Sequence, residues 1–415
     1  MKWQLPLAWM LGCTLAVSAT AQDWPQWRGA DRDNISRETG WNPAKLDAAN
    51  PILWKTNVGK GHSAVIVVGD RLFTQGMTIT VTGKDTAYTE QVIALDAATG
   101  RVLWRRQNPV KEERLTRTFG GPSATPTWDD GKIYAQGREG LLLCLDARDG
   151  RIIWQKDLIK EGFSPLPSWG FNASPVVDGE HLFLNVGEAG LAVNKHDGRV
   201  IWKSAAKAGG DATPLLFQQE GKNNLLLNTN DRLCVLDPET GRVIGSTLGG
   251  SSTDPILDGQ DILFTKDGTF RLAWNGNTFE EKWRTPQIKG HFLTGLLLDG
   301  AYYTMDSYRG RNYNLACLDA ATGQVKWQEK LGEHGSLMAT QDWLIILTGL
   351  GELILAKPNG EKFEPMHRSK ILTLPPRIGN DAMLFDHIWS YPVLTHGHIY
   401  CKGTNGDLVC IDVRP

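Results

Sequence analysis

The sequence predicts an all-β protein, an eight-bladed β-propeller of four-stranded antiparallel blades. Three observations support this prediction. A turn-and-strand pattern returns along most of the chain, and the two ends of the chain each carry part of one more repeat. In addition, 45 glycines and 16 tryptophans among 415 residues are typical of strands that carry large aromatic side chains and are joined by many tight turns.

The repeated pattern is Leu-Asp, two variable residues, Thr-Gly or Asp-Gly, three residues and Trp. It occurs at residues 95–104, 145–154 and 318–327, and variants occur at 194–202 and 236–244. Each copy fits a β-hairpin in which Asp caps the turn and Gly takes the positive-φ position. The following strand alternates, and Lys326 opposite the Trp face can meet water, so the Trp face is the packed one. The docking tryptophans predicted in this way are Trp54, Trp104, Trp154, Trp202, Trp283 and Trp327.

Counting the aromatic position of each fourth strand gives the number of blades. The seven positions found are Trp104, Trp154, Trp202, Gly245, Trp283, Trp327 and Phe363. An eighth blade is split, because residues 408–412 end the chain on a third strand and residues 52–55 supply a fourth strand near its start. The N-terminal strand would then close the last blade and leave no open sheet edge at the seam.

The N-terminus predicts export. Residues 1–21 combine a positive start, an apolar stretch and the Ala19-Thr20-Ala21 cleavage site of a signal peptide. A lipid anchor at Cys13 is the less favoured alternative, because Leu11 fits that motif poorly. No later segment is apolar enough to be a transmembrane span, and no basic run suggests nucleic-acid binding. We therefore expect a monomer that is periplasmic or secreted after cleavage near Ala21.

Two segments interrupt the repeats. Residues 22–50 contain Trp24, Trp27 and Trp41, and we expect these rings to pack the segment on the propeller of residues 51–415, since exposed tryptophans are costly. A partner-binding arm is the alternative. The second segment, the insertion from Glu364 to His387, is expected to be a surface loop over one face.

The cysteines predict small buried side chains. Cys144, Cys317 and Cys410 each lie two residues before a turn Asp, where other repeats have alanine, so we expect them to fill a narrow slot. Cys401 and Cys410 flank the last hairpin turn. A disulfide between these two is left open, because export would permit one.

The repeat resembles the tryptophan-docking repeat of the pyrroloquinoline-quinone (PQQ) propellers, which include quinoprotein dehydrogenases and BamB outer-membrane assembly proteins. The opening, Asp23-Trp24-Pro25-Gln26-Trp27-Arg28-Gly29, is similar to the start of secreted bacterial PQQ-like repeat proteins. The resemblance implies either a BamB-like scaffold or a PQQ-dependent oxidoreductase for alcohols or sugars. Such dehydrogenases hold PQQ and calcium in the channel, beside a disulfide between adjacent cysteines.

No two cysteines of this chain are adjacent, and the calcium ligands of the dehydrogenases match no stretch of it. We therefore favour a non-catalytic binding or scaffold protein of the cell envelope. Such a protein would require no cofactor. PQQ with calcium is expected only if the chain is instead the oxidoreductase. The expected partner is an envelope or extracellular protein, or a small molecule.

Residues just before each innermost strand are expected to gather at one mouth of the central channel. They are His62, Arg117, Trp169, Asn172, Asp211, Asp254, His291, His334, Trp389 and Tyr391. Convergent polar and aromatic side chains suit a small-molecule or polysaccharide site, although channel mouths are wet and often polar without binding anything. The histidines and aspartates of this set match no metal-binding spacing, so we expect no metal there.

Overall fold

Alternating apolar residues and glycine turns produce a fold built almost wholly of short strands. The computed structural model describes residues 22–111, 120–250, 252–290, 292–306, 313–331, 333–374 and 387–415. Within these ranges, 32 strands form eight four-stranded antiparallel sheets, which confirms the predicted eight-bladed propeller. The predicted signal peptide and Cys13 lie outside the described residues.

Each blade runs outward from the channel through four strands. The innermost strands are β2 (Ile66–Val68), β6 (Thr127–Asp129), β10 (Val176–Asp178), β14 (Leu215–Gln219), β18 (Ile256–Asp258), β22 (Leu296–Leu298), β26 (Gly335–Ala339) and β30 (Val393–Thr395). The second strands are β3 (Arg71–Thr82), β7 (Lys132–Gln136), β11 (His181–Leu184), β15 (Lys222–Asn228), β19 (Asp261–Thr265), β23 (Ala301–Asp306), β27 (Leu344–Thr348) and β31 (His398–Lys402).

The outer half of each blade holds two further strands. The third strands are β4 (Asp85–Asp96), β8 (Leu141–Asp146), β12 (Leu191–Asn194), β16 (Arg232–Leu236), β20 (Thr269–Trp274), β24 (Asn314–Asp319), β28 (Glu352–Lys357) and β32 (Asp407–Asp412). The outermost strands are β5 (Val102–Pro109), β9 (Ile152–Asp157), β13 (Val200–Lys203), β17 (Val243–Leu248), β21 (Phe279–Thr285), β25 (Val325–Lys330), β29 (Glu364–Lys370) and, for the last blade, β1 (Ile52–Asn57).

The seam of the ring is the predicted one. Strand β1 pairs antiparallel with β32, and Trp54 lies opposite Cys410. The sheet order β1-β32-β31-β30 makes the chain's first strand the outer edge of its last blade. The two ends of the propeller sequence therefore complete one sheet. A 3-10 helix at Pro43–Asp47 precedes β1, and within the described ranges no helix has the length and apolar character needed to cross a membrane.

Tryptophans on the outer strands connect each blade to the next. Trp54 Nε1 donates a hydrogen bond to the Ala97 carbonyl at 3.1 Å, and Trp104 Nε1 donates to the Ala147 carbonyl at 3.1 Å. The same bond from Nε1 to a carbonyl of the following blade is made by Trp154, Trp202, Trp283 and Trp327. The turn glycine of the following blade lies against the ring: a Cβ on Gly100 would approach Trp54 to 2.5 Å.

Two blades depart from this tryptophan rule. At Gly245 the space is filled by Trp274 of the following blade, whose ring would lie 2.6 Å from a Cβ at that glycine. In the seventh blade the prediction of Phe363 is wrong, because β29 begins after it and His367 lies opposite Leu355. The turn before β29 is longer than in the other repeats, so the sequence count shifts by four residues. Phe363 packs instead against Trp327, at 6.0 Å between ring centroids.

The expected insertion from Glu364 to His387 is also wrong in its first part. Residues Glu364–Lys370 form β29, and the following Ile371 and Leu372 are buried. The polar composition of β29 conceals it, since an outermost strand exposes one face to water. Residues 375–386 lie outside the described part of the chain, and His387 is buried again beyond them.

The structure contradicts the possible disulfide between Cys401 and Cys410. Cys401 pairs with Val409 and Cys410 pairs with Tyr400 across β31 and β32. Adjacent positions along a strand point to opposite faces, so the two sulfurs cannot face each other. All five cysteines of the described residues are free and buried. Cys144, Cys317 and Cys410 lie opposite Trp154, Trp327 and Trp54 respectively.

A buried polar side chain on or directly after the second strand of several blades forms another link between blades. Gln75, Gln136, Asn185 and Asn228 each donate to a carbonyl at the start of the next blade, at 2.7 to 3.1 Å. At the seam the same position is Lys402, which is 1% exposed. Its Nζ donates to the carbonyls of Gly61, Ser63 and Gln75 at 3.2, 3.1 and 2.9 Å. We call this set the amide row, and Lys402 makes its link from the last blade to the first.

Glycine at position 100 is required by both the turn and the ring beside it. Gly100 has a φ of +70° and Gly131 a φ of +73°, but a Cβ on Gly131 would meet nothing within 4 Å. We expect Gly131→Ala to lower the free energy of unfolding by about 1–2 kcal/mol through backbone strain. Gly100→Ala should lower the free energy of unfolding by roughly 1–3 kcal/mol more than Gly131→Ala, because its methyl group would also overpack against Trp54. Denaturant unfolding of both variants measures the difference, and equal losses would contradict docking through this contact.

Candidate functional site

The segment before the first blade closes one end of the channel. Trp24 pairs with Val67 through backbone bonds of 2.8 and 2.9 Å, and the Pro25 carbonyl accepts from the Trp128 N–H at 2.8 Å. Further along the segment, the Ser36 N–H donates to the Ala339 carbonyl at 2.7 Å. These contacts lie on the inner strands β2, β6 and β26 of three different blades. The segment thus crosses that end of the channel and forms its floor.

The other end of the channel holds a pocket of about 150 Å³. Its wall comes from the loops that enter the innermost strands, and Trp27 reaches it from the floor. The lining residues are Trp27, His62, Ser123, Arg138, Trp169, Asn172, Ser174, Asp211, Thr213, Ser252, Asp254, Phe292, Thr294, Trp389 and Tyr391. The channel is therefore a pocket closed at one end.

Many polar atoms around the channel are occupied by a belt of hydrogen bonds between blades. In each bond a side-chain oxygen accepts a backbone N–H of an earlier blade; the first five bonds join neighbouring blades, and the sixth runs from the sixth blade to the eighth. The bonds run from Ala64 to Thr125, Thr125 to Ser174, Ser174 to Thr213, Thr213 to Asp254, Asp254 to Thr294 and Thr294 to Tyr391, at 2.7 to 3.2 Å. This oxygen belt stabilises the ring, and its members have a structural role.

Asp254 and Tyr391 belong to this belt. Asp254 Oδ1 accepts from the Thr213 N–H at 2.7 Å, and Oδ2 accepts from Trp27 Nε1 at 2.6 Å. Burial raises the pKa of the Asp254 carboxyl, and the charge of Arg28 acts in the opposite direction. The Tyr391 hydroxyl accepts from the Thr294 N–H at 2.7 Å and donates to its carbonyl at 3.0 Å. Both residues are engaged in holding the fold.

One wall of the pocket is aromatic. The rings of Trp169 and Phe292 lie edge to face at 6.3 Å, and those of Phe292 and Trp389 at 5.5 Å. Trp389 stacks on His334 at 3.9 Å with an interplanar angle of 15°. His334 Nε2 donates to the Ile388 carbonyl at 3.1 Å, and burial lowers the pKa of His334 to about 3, so this imidazole is neutral. His334 thus supports the wall from behind.

Facing side chains supply hydrogen-bonding groups. Asp211 accepts from Asn172 Nδ2 at 2.8 Å through one oxygen and from Ser252 Oγ at 2.9 Å through the other. The buried atoms Asn172 Oδ1 and His62 Nδ1 have no hydrogen-bond partner. Burial lowers the pKa of His62 to about 3, and the charges of Arg138 and Lys402 act in the same direction. This side of the pocket therefore has polar atoms in need of hydrogen-bond partners.

The sequence-predicted residues divide into three groups. His62, Trp169, Asn172, Asp211, Asp254, Trp389 and Tyr391 lie on the pocket wall, and His334 lies behind it. Arg117 and His291 lie outside the described residues. Sequence reasoning missed three lining residues, Trp27, Arg138 and Phe292. Trp27 lies in the floor segment, Arg138 in a turn and Phe292 in a loop, and none of these stretches has a periodic pattern. The hydroxyl residues of the oxygen belt could have been located from the sequence, since Thr125, Ser174 and Thr213 each directly precede a proline.

The described residues do not fit PQQ, a flat quinone that carries three carboxylates. Among the described lining residues the cationic side chain is Arg138. Its Nη1 donates to the Gly121 carbonyl at 2.8 Å, and its backbone N–H donates to Glu90 Oε1 at 3.0 Å. The Asp211 carboxylate would repel an anion at the same wall. Within the described ranges, no three metal-binding side chains form a cluster.

The geometry defines the chain as a closed eight-bladed propeller whose blades dock through tryptophans, the class of the PQQ-type propellers. A family model described as "Outer membrane protein assembly factor BamB" matches residues 44–119 and 89–329. The chain belongs to this family, as its repeats predicted. The chain is similar to the BamB protein of Yersinia pestis, with 24% identity over 260 residues. That match covers 57% of this chain and 63% of the relative.

Solved structures show the same fold. The crystal structure of BamB from Moraxella catarrhalis has a TM-score of 0.60 at 12% identity and covers 86% of this chain and 96% of that one. Quinohemoprotein alcohol dehydrogenase from Comamonas testosteroni has a TM-score of 0.70 at 13% identity and covers 96% of this chain and 81% of that one. At such identities the likeness concerns the fold, since one fold hosts unrelated activities.

Proposed function

We propose that this chain is a non-catalytic scaffold protein of the cell envelope that takes part in the assembly of outer-membrane proteins. The single observation that carries the proposal is the family model, which spans residues 44–329 and describes an outer-membrane assembly factor. The poor fit of the pocket to PQQ supports the scaffold over the dehydrogenase alternative. The protein would be exported, with cleavage near Ala21 favoured over a lipid anchor at Cys13, and would act as a monomer on a protein partner.

Deleting the gene in the source organism should lower the amount of outer-membrane proteins, because their assembly would lack its scaffold. Quantitative mass spectrometry of isolated outer membranes measures the change. The full chain supplied from a plasmid should restore the amounts, and the same chain without residues 1–21 should not, since it would not be exported. Unchanged outer-membrane proteins, together with PQQ- and calcium-dependent dye reduction by the purified protein, would favour the dehydrogenase.

A further inference from the structure

We propose that the closed-ended pocket binds one pyranose ring of a carbohydrate, either a free sugar or the terminal residue of a chain. The inference goes beyond the proposed function and does not depend on it. Three features of the pocket determine the ligand class: an exposed aromatic ring, polar atoms without hydrogen-bond partners, and a floor that ends the channel.

The aromatic wall offers a surface that a sugar ring can cover. Trp169 is 39% exposed and is the one exposed aromatic side chain among the described residues. Its contact with Phe292 at 6.3 Å joins it to a row of rings that ends on buried His334. A pyranose presents an apolar C–H face that packs on an indole, and aromatic packing of this kind contributes beyond the area it buries.

The polar side distinguishes a sugar from other ligands that favour aromatic pockets. Asn172 Oδ1 and His62 Nδ1 have no hydrogen-bond partner, and both residues line the pocket together with Asp211. A sugar hydroxyl can donate to the Asn172 oxygen, and it can either donate to or accept from His62 Nδ1, according to the tautomer of that imidazole. A quaternary ammonium would satisfy the aromatic wall and the carboxylate, but it has no N–H or O–H to donate. A polycarboxylate would be repelled by Asp211.

The floor limits how much of a ligand can enter. Trp27 lies edge to face with Tyr391 at 4.9 Å and is tied to Asp254 by its 2.6 Å hydrogen bond. The pocket volume of about 150 Å³ suits one pyranose ring. A polysaccharide could therefore enter only by its end.

The test is a titration of the chain of residues 22–415 with D-glucose, D-galactose, N-acetyl-D-glucosamine and maltose. Tryptophan fluorescence and calorimetry should show saturable binding of at least one of them at one site per chain. Trp169→Ala should weaken binding about tenfold. Asp211→Asn, which keeps the shape but removes the charged acceptor, should weaken it roughly ten- to a hundredfold. The unfolding midpoint of both variants should stay near that of the parent.

A tryptophan away from the pocket provides the matched control. Trp343 packs on Trp41 and beneath Lys357 and is absent from the described pocket lining. Trp343→Ala should leave sugar affinity unchanged. The proposal is overturned if none of the four sugars saturates. It is also overturned if Trp343→Ala weakens binding as much as Trp169→Ala, or if the pocket prefers tetramethylammonium or PQQ.

Discussion

A chain that begins at Val58 is expected to lose cooperative unfolding, because it lacks the outer strand of the last blade. Strand β1 pairs with β32 at five register positions from Ile52 to Asn57. Trp54, 9% exposed, also docks on the first blade. Loss of a buried tryptophan alone costs about 3–5 kcal/mol, and the truncation would also leave β32 with an unpaired edge. Circular dichroism and denaturant unfolding measure the effect.

The matched control is a chain that begins at Pro51. It lacks the floor segment but keeps β1, so the ring should still close, and unfolding should stay cooperative at a lower midpoint. The comparison separates closure of the ring from coverage of the channel. If both truncated chains unfold cooperatively, or if neither does, the role assigned to β1 is contradicted.

The second large effect is expected at Lys402. Lys402→Met should lower the free energy of unfolding by about 3 kcal/mol, because three buried carbonyls lose their donor and each such loss costs roughly 1–3 kcal/mol. Lys402→Gln is the matched control, since Gln75 and Gln136 hold the corresponding positions of the amide row. Equal stability of the Met variant and the parent would show that the ammonium adds nothing at the seam.

Lys402 should also make stability depend on pH. Burial lowers the pKa of the Lys402 ammonium to about 7, whereas an unfolded lysine stays protonated to about pH 10.4. Between these values the unfolded chain binds more protons, so stability rises with pH by at most about 1.4 kcal/mol per unit. Neighbouring His62, with its pKa near 3, does not titrate in this window. The parent should therefore gain stability over Lys402→Gln from pH 7 to 10, and parallel pH curves would contradict this assignment.

Most of the fold could be predicted from the sequence because each blade repeats the same local rules. A turn Asp, a positive-φ glycine and an alternating strand act over ten residues, and those ten residues recur. The prediction failed at Phe363 and at Glu364–Lys370, where a longer turn shifts the register and the strand has a polar composition. Whether Cys401 and Cys410 form a disulfide could not be decided from the sequence, because the answer depends on the strand register that pairs Cys401 with Val409.

The site was predictable in position but not in the role of each residue. Seven of the ten expected side chains lie on the pocket wall, because residues before inner strands must face the channel. Asp254 resembles a ligand-binding carboxylate in the sequence, yet it is buried and links Thr213 of the preceding blade to Trp27 of the floor. The placement of Trp27 depends on a segment without periodicity crossing the channel, and no local pattern encodes that path.

Closure of the ring by β1 is the claim on which the pocket, the floor and the seam all depend. The most direct measurement is oxidation of the double variant Asn57→Cys with Asp407→Cys, since Asn57 Nδ2 lies 3.2 Å from Asp407 Oδ1 across the two strands. In the closed ring a near-complete disulfide is expected, seen as faster migration on a non-reducing gel. No such bond is expected between Asn57→Cys and Asp197→Cys in the third blade. Failure of the first pair to bridge, or equal bridging of both pairs, would contradict the closed eight-bladed ring.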